Sequence, residues 1–298
     1  MAVLISIGGG KGGSGKSFLA LNLGVALAER GREVILLDAD LGGANLHTLL
    51  GIPFPSVTLE DFLNGFLPLA ETAMETSVRG LKLISGTLAR LSAKLKYDQK
   101  RRLFRNLRGL QADYIIVDLG AGIGPSTLDL FILADRGLLL LTPESTAVEN
   151  AYRFLRGVYF RCLRSVATER RIRRAVEEVI EGLDRGSTPW DLLKKIEDMD
   201  GNTASKFRGV MHSLRPYLVL NQLKTRDERA LGFSVKTVCK KYFGIDLRYI
   251  GYVPFDPKVS YAVARGRPFL WEYPDTETSR CIREIADRMT TDREVTLP

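Results

Sequence analysis

Apolar residues along the chain alternate between short continuous runs and stretches at helical spacing, with glycines marking the breaks. Ala2-Val3-Leu4-Ile5-Ser6-Ile7 is short, apolar and β-branched, and predicts a buried strand. Phe18 to Arg30 carries Leu19, Leu23, Ala26 and Leu27 at helical spacing, with Gly31 as a stop signal. Further strands are predicted at Glu33–Leu37, ending at Asp38, at Leu81–Ser85, and at Tyr114–Val117, ending at Asp118. Three more follow at Gly137–Leu141, at Tyr217–Leu220, ending at Asn221, and at Arg248–Val253, before Pro254. Helices are predicted over Ser92–Gly109, in one long stretch from Ser145 to Gly182, and over Thr278–Met289. This alternation predicts an α/β fold: a doubly wound, mostly parallel sheet of about seven to eight strands, covered by helices on both faces. With no linker, repeat or low-complexity segment, one domain over residues 1–298 is expected.

Ligands of such sheets gather at the carboxyl ends of the strands. Asp38, Asp118, Asn221 and Pro254 all fall at predicted ends. Between the first strand and the first helix stands Gly10-Lys11-Gly12-Gly13-Ser14-Gly15-Lys16-Ser17, which fits the phosphate-loop pattern G-x-x-x-x-G-K-[ST] at every fixed position. The glycines let backbone N–H groups approach phosphate oxygens, and the helix start favours an anion. In that pattern Lys16 reaches the β- and γ-phosphates and Ser17 ligates Mg²⁺. Lys11 is a second lysine in a loop that needs one, which points to a site shared between two copies of the protein. A chance glycine-rich turn is the bland alternative, and the strand–loop–helix context argues against it.

Asp38-Ala39-Asp40 leaves the second strand with two carboxylates two residues apart. Hydrolysis of a phosphoanhydride needs a group that orients water and a counter-charge for the leaving phosphate. Asp40 lies just beyond the strand and can reach the γ-phosphate side, leaving Asp38 for the metal, although the two roles are exchangeable. Ile115-Ile116-Val117-Asp118 is an apolar run ending in aspartate, the Walker B pattern that holds Mg²⁺. Any one of these aspartates alone reads equally as a turn or cap residue.

Composition narrows the setting. The three cysteines of this 298-residue chain, Cys162, Cys239 and Cys281, are widely spaced and make no zinc pattern, so buried thiols in a reducing, cytoplasmic compartment are expected. The longest apolar run, around Leu138–Leu141, is far short of a membrane span, and a strand starting at once leaves no room for a signal peptide. The net charge of +8 concentrates in two blocks. One holds Lys94, Lys96, Lys100, Arg101, Arg102, Arg105 and Arg108; the other holds Arg161, Arg164, Arg170, Arg171, Arg173 and Arg174. Such blocks suit DNA or an anionic membrane surface, or are the solvated faces of amphipathic helices.

Taken together these residues resemble the ParA/MinD ATPases. The loop KGGSGKS looks like that family's deviant Walker A motif, Asp38–Leu46 is similar to its switch I, and Asp118–Ile123 to its switch II. Thr142-Pro143-Glu144 and the segment Pro254–Val259 resemble the strand end and the adenine-side segment of the family. The stretches ADLGGANLHTLLGI and DLGAGI look most like the MinD branch and its flagellar-number regulator FlhG. The resemblance implies a SIMIBI-type P-loop fold and an ATP- and Mg²⁺-dependent ATPase, slow until a partner stimulates it. It further implies a homodimer when ATP is bound, positioning a flagellum or division site from the cytoplasm, peripherally at membrane or nucleoid. Lys11 would reach the nucleotide of the opposite subunit, Asp40 would position water, and Asn221 would contact adenine. A ParA-like partition role on nucleoid DNA is the alternative. The chain departs from the pattern in two places. Its last residues, Thr290–Pro298, lack a sustained apolar face for membrane targeting, and about 161–214 form a helical insertion expected to meet an activator or cargo, or to cover the sheet. Paired cysteines are absent, so no iron–sulfur cluster is expected. Asn221-Gln222-Leu223-Lys224 is not the N-K-x-D guanine signature, which favours ATP over GTP.

Overall fold

A computed structural model describes residues 2–9, 12–40, 43–86, 97–182, 189–214 and 216–296. In chain order the elements are β1 (Val3–Gly8), α1 (Lys16–Ala28), β2 (Val34–Asp38), α2 (Leu46–Leu49), α3 (Leu59–Leu63), β3 (Met74–Glu75), β4 (Leu81–Ile84) and α4 (Tyr97–Leu107). The next are β5 (Tyr114–Asp118), α5 (Pro125–Leu133), β6 (Arg136–Leu141), α6 (Ser145–Val166), α7 (Arg170–Gly182), α8 (Pro189–Met199) and α9 (Gly201–Ser213). The chain ends with β7 (Tyr217–Leu223), α10 (Ala230–Phe243), β8 (Arg248–Pro254), α11 (Lys258–Ala264), α12 (Phe269–Glu272) and α13 (Glu277–Thr291). The strands form one eight-stranded sheet in the order β3-β4-β2-β5-β1-β6-β7-β8, parallel except for β3.

The apolar strand runs divide by parity, because successive side chains of a strand face opposite sides. Leu4, Ile35, Leu37, Ile115, Val117, Leu139 and Leu141 belong to one core. Ile5, Ile7, Leu36, Ile116, Leu138 and Leu140 belong to the other. α1 and α13 cover the second face, and α5, α6 and α10 cover the first. α1 is buried almost all round, which is why its sequence shows little polar face.

Several boundaries differ from the sequence expectation. The long helix predicted from Ser145 to Gly182 is two helices. The chain leaves helical geometry at Ala167 (ψ 79°), where Ser165 Oγ turns back to donate to the Cys162 carbonyl. The described residues of 161–214 form the end of α6 and the helices α7, α8 and α9, and α9 seats Phe207 edge-on against Tyr159 of α6 at 4.8 Å. Residues 92–96 of the predicted basic helix lie outside the described residues. The helices α5 and α10 and the short helices α2, α3, α11 and α12 were not anticipated. α5, Pro125–Leu133, starts with proline at its first turn and buries Leu128, Leu130 and Phe131. Phe131 is fully buried on β6, where a Cβ at Gly137 would stand 2.7 Å from its ring, and it meets Phe154 edge-on at 4.9 Å.

Phe131 therefore anchors α5 to the sheet. Replacing it by alanine should cost about 3–5 kcal/mol, measured as the change in urea unfolding free energy. A loss under ~1 kcal/mol would mean that α5 is held by something else.

Candidate nucleotide site

β1 lies at the middle of the sheet, between β5 and β6, so the loop that follows it emerges where successive connections run to opposite sides. Gly9 has no alternative there, since a Cβ would stand 2.4 Å from the Leu140 carbonyl oxygen. Gly10 and Lys11 lie outside the described residues. Gly12 and Gly13 are exposed, and Gly13 and Gly15 have φ of 76° and 89°, the left-handed region that glycine enters without strain. Two amides of β7 tether the loop. Asn221 Nδ2 donates to the Ser14 carbonyl at 2.7 Å and Gln222 Nε2 donates to the Gly13 carbonyl at 3.3 Å. In a planar trans peptide the carbonyl and the following N–H point opposite ways, so the N–H groups of Ser14 and Gly15 face away from β7. Helix α1 begins at Lys16 with no side-chain cap, which leaves its first N–H groups and dipole to an anion.

Lys16 is 8% exposed. Burial holds its ammonium below the ordinary lysine pKa, while Asp118 and Asp40 oppose that shift. Asp118 ends β5 and is 2% exposed; burial, and then the neighbouring Asp38, push its carboxyl up to about 7, against a hydrogen bond from Ser17 and the charge of Lys16. Among the described residues its Oδ1 has no hydrogen-bond partner. Asp38 pairs with Asp118 across the β2–β5 ladder and is raised to about 6, again chiefly by burial. Both oxygens of Asp38 are already engaged: Oδ1 accepts from the N–H of Asp40 at 3.1 Å, and Oδ2 from those of Asn45 (2.8 Å) and Leu46 (3.0 Å). Asp38 thus fixes the turn that follows β2. Asp40 is half-buried beside Gly120, where a Cβ would lie 3.0 Å from Asp40 Oδ1.

A divalent cation fits this chemistry. The orphan Oδ1 of Asp118, the Ser17 hydroxyl next to it and two carboxylates with raised pKa form an oxygen set in want of positive charge. Among the described residues no three His, Cys, Asp or Glu side chains converge into a closed cage. That is in keeping with Mg²⁺, which takes one or two protein ligands and completes its octahedron with phosphate and water.

Beside the loop lies a pocket of about 410 Å³, lined by Phe18, Asn221, Pro254, Val259 and Val263 among others, and bounded by Gly15. Four of the strand-end residues singled out in the sequence therefore converge: Asp38 and Asp118 on the Lys16 side, Asn221 and Pro254 on the pocket side. Asn221 does two things, since its amide holds the loop while its side chain walls the pocket. Gln222 carries no sequence signal for its role; it has a positive φ of 62° and its amide meets the loop.

Cys162, Cys239 and Cys281 are buried, and burial raises their thiols to about 12, 12 and 11. Among the described residues no helix is long and apolar enough to cross a membrane.

A glycine loop between strand and helix and a buried lysine facing an acidic strand end define the class of P-loop nucleotide-binding proteins. Residues 5–269 match the CobQ/CobB/MinD/ParA nucleotide binding domain, and the chain belongs to that family. The antiactivator FleN of Pseudomonas aeruginosa is 26% identical over 289 residues, covering 96% of this chain and 85% of FleN. The flagellum site-determining protein YlxH of Helicobacter pylori is 36% identical over 155 residues, about half of each chain. The septum site-determining protein MinD of Pyrococcus horikoshii, solved with Mg-ADP, shares the fold at a TM-score of 0.65 and 20% identity, over 97% of this chain and 96% of that one.

One expectation is overturned. Proteins named iron–sulfur cluster carriers are also relatives: that of Saccharolobus solfataricus is 24% identical over 96% of this chain, and that of Aquifex aeolicus 25% over 95%. The exclusion of a cluster from cysteine spacing does not stand. Spacing within one chain does not decide ligation, because thiolates can come from two copies and imidazoles can replace them.

The raised carboxyl of Asp118 has a measurable sign. Between the ordinary aspartate pKa and about 7 the folded chain binds more protons than the unfolded one, so Asp118 lowers stability progressively as pH rises through that window. In metal-free protein, Asp118→Asn should gain in Tm relative to the wild type by more than ~3 °C between pH 5 and pH 7.5, read by scanning calorimetry. A pH-independent difference would contradict the buried-carboxylate description.

Proposed function

We propose that the chain is a Mg²⁺-dependent ATPase that works as a dimerisation switch and so positions or regulates a cellular structure, a flagellum or a division site. The reading is carried by one observation: buried Lys16 faces buried Asp118, whose free Oδ1 adjoins Ser17, at the mouth of a glycine loop. FleN and YlxH as relatives support the positioning role. We take residues 1–298 as one nucleotide-binding unit with an insertion at about 161–214.

In this reading the inward N–H groups of Ser14 and Gly15 and the start of α1 bind the phosphates, and Lys16 neutralises the β- and γ-oxygens. Ser17 and Asp118 hold Mg²⁺, which supplies charge neutralisation to the leaving diphosphate. Asp38 braces the turn that carries Asp40, and Asp40 orients the attacking water. The pocket between Phe18, Asn221 and Pro254 takes the base. Lys11 reaches the nucleotide of a second copy, so that two loops complete each other only in the ATP-bound dimer. A DNA-holding alternative loses support where Lys100, Arg108, Arg161, Arg164 and Arg174 already meet carboxylates of the same chain.

Three substitutions test the assignment. Lys16→Ala should weaken ATP affinity by ~10–100-fold, the loss of a charge-assisted contact, in a fluorescent-nucleotide titration. Lys11→Ala should bind ATP normally yet stay monomeric with ATP on size-exclusion chromatography. Asp40→Ala should bind ATP, turn over poorly and accumulate as a dimer. An Asp40→Ala protein that remains monomeric with ATP would sink the dimerisation switch.

A further inference from the structure

The two basic blocks of the sequence meet at one carboxylate. Lys100 of α4 places Nζ 2.7 Å from Asp129 Oδ2. Arg161 of α6 places Nε 2.5 Å from Oδ1 and Nη2 2.9 Å from Oδ2, a bidentate grip on the same side chain. The Asp129 and Lys100 side chains are only 15% and 13% exposed. The other pairs of the second block are more exposed, Arg164–Glu177 at 42% on each side and Arg174–Glu178 at 83% and 64%. Exposed pairs contribute little, whereas a carboxylate withdrawn from water between two cations leaves a costly imbalance when it is removed.

Asp129 sits on α5, the helix that continues directly from the Leu119–Gly124 loop. That loop leaves Asp118 and touches both halves of the site. Gly120 presses on Asp40, and Ala121 lies against Gly12, whose Cβ would be 3.9 Å from that of Ala121. On α6, Gly157 and Arg161 are one turn apart on one face; the first receives Leu128 of α5 and the second grips Asp129. α5 is thus pinned from α4 on one side and from α6, the helix that leads into the insertion, on the other.

We propose that Asp129 is a positioning residue: by locking α5 between α4 and α6 through Lys100 and Arg161, it sets the Leu119–Gly124 loop against Asp40 and the phosphate loop. The inference rests on the ATPase reading of the site. Without the carboxylate, Lys100 and Arg161 face each other as like charges in a half-buried space, α4 and α6 are driven apart, and the loop loses its register. The phosphate loop is tethered independently by Asn221 and Gln222, so nucleotide affinity does not depend on the lock.

The test uses the full chain with Mg²⁺ and ATP, comparing wild type, Asp129→Asn, Asp129→Glu, Lys100→Met and, as control, Arg174→Met. Asp129→Asn should lower kcat by ~10-fold with KM and fluorescent-nucleotide affinity within ~2-fold, because misplacement of a positioning group is felt in turnover. Lys100→Met should shift in the same direction, Asp129→Glu should recover most of kcat, and Arg174→Met should match wild type. Amide hydrogen exchange is measured alongside: in Asp129→Asn the 119–124 amides should exchange ~10-fold faster while those of 12–17 are unchanged. Wild-type kcat in Asp129→Asn, or equal exchange at 119–124, overturns the lock. Loss of nucleotide affinity and of 12–17 protection in the same variant also overturns it, since the effect is then general unfolding. A wild type that binds but does not hydrolyse ATP defeats the ATPase reading instead, and the exchange pattern still decides the lock.

Discussion

Burial of charge at one end of a parallel sheet is the constraint on which the rest of this structure depends. β1, β2 and β5 are apolar along their length and stop together, so whatever follows them is packed close and largely out of water. Lys16, Asp38 and Asp118 stand at that stop, and charges held there cannot be left uncompensated. Lys16 answers part of the acidic excess; backbone N–H groups answer Asp38; the raised carboxyl of Asp118 marks the part left over. A site that lacks positive charge in its free state is suited to a cation.

Much of this was legible in the sequence, because strand cores and the phosphate loop are local signals. Buried parallel strands read as unbroken apolar runs, and their ends could be placed within a residue at Asp38 and Asp118. The loop pattern is carried by contiguous residues whose backbone needs are specific to glycine. Legibility failed where a property depends on partners distant in the chain. α5 and α10, by contrast, carry local signals that were passed over, Pro125 at the start of one and Gly244 in the left-handed region at the end of the other. The break between α6 and α7 turns on a local competition at Ser165 that periodicity does not register. The N–H groups of Asn45 and Leu46 that Asp38 accepts from are likewise invisible as side-chain chemistry.

The basic blocks make the same point for charge. Counted along the chain they make a polyanion-binding surface; counted in space, several of their members are internal ties. Lys100 and Arg161 converge on Asp129, and Arg164 grips Glu177 with both nitrogens. Net charge therefore describes the surface poorly when like-charged helices are laid over an acidic neighbour. Cysteine spacing failed in the opposite direction, since it was asked to exclude a ligand whose donors need not lie in one chain.

The amide tethers of β7 bear on time as well as on affinity. The carbonyl oxygens of a phosphate loop repel the anion it must receive, and a free loop would have to turn them away at every encounter. Asn221 and Gln222 hold the Ser14 and Gly13 carbonyls aside before any ligand arrives. The ordering cost is met during folding, once, and each arriving nucleotide finds a finished cradle. Capture is then set by diffusion and collision geometry, and how long the nucleotide stays is set by contacts formed afterwards.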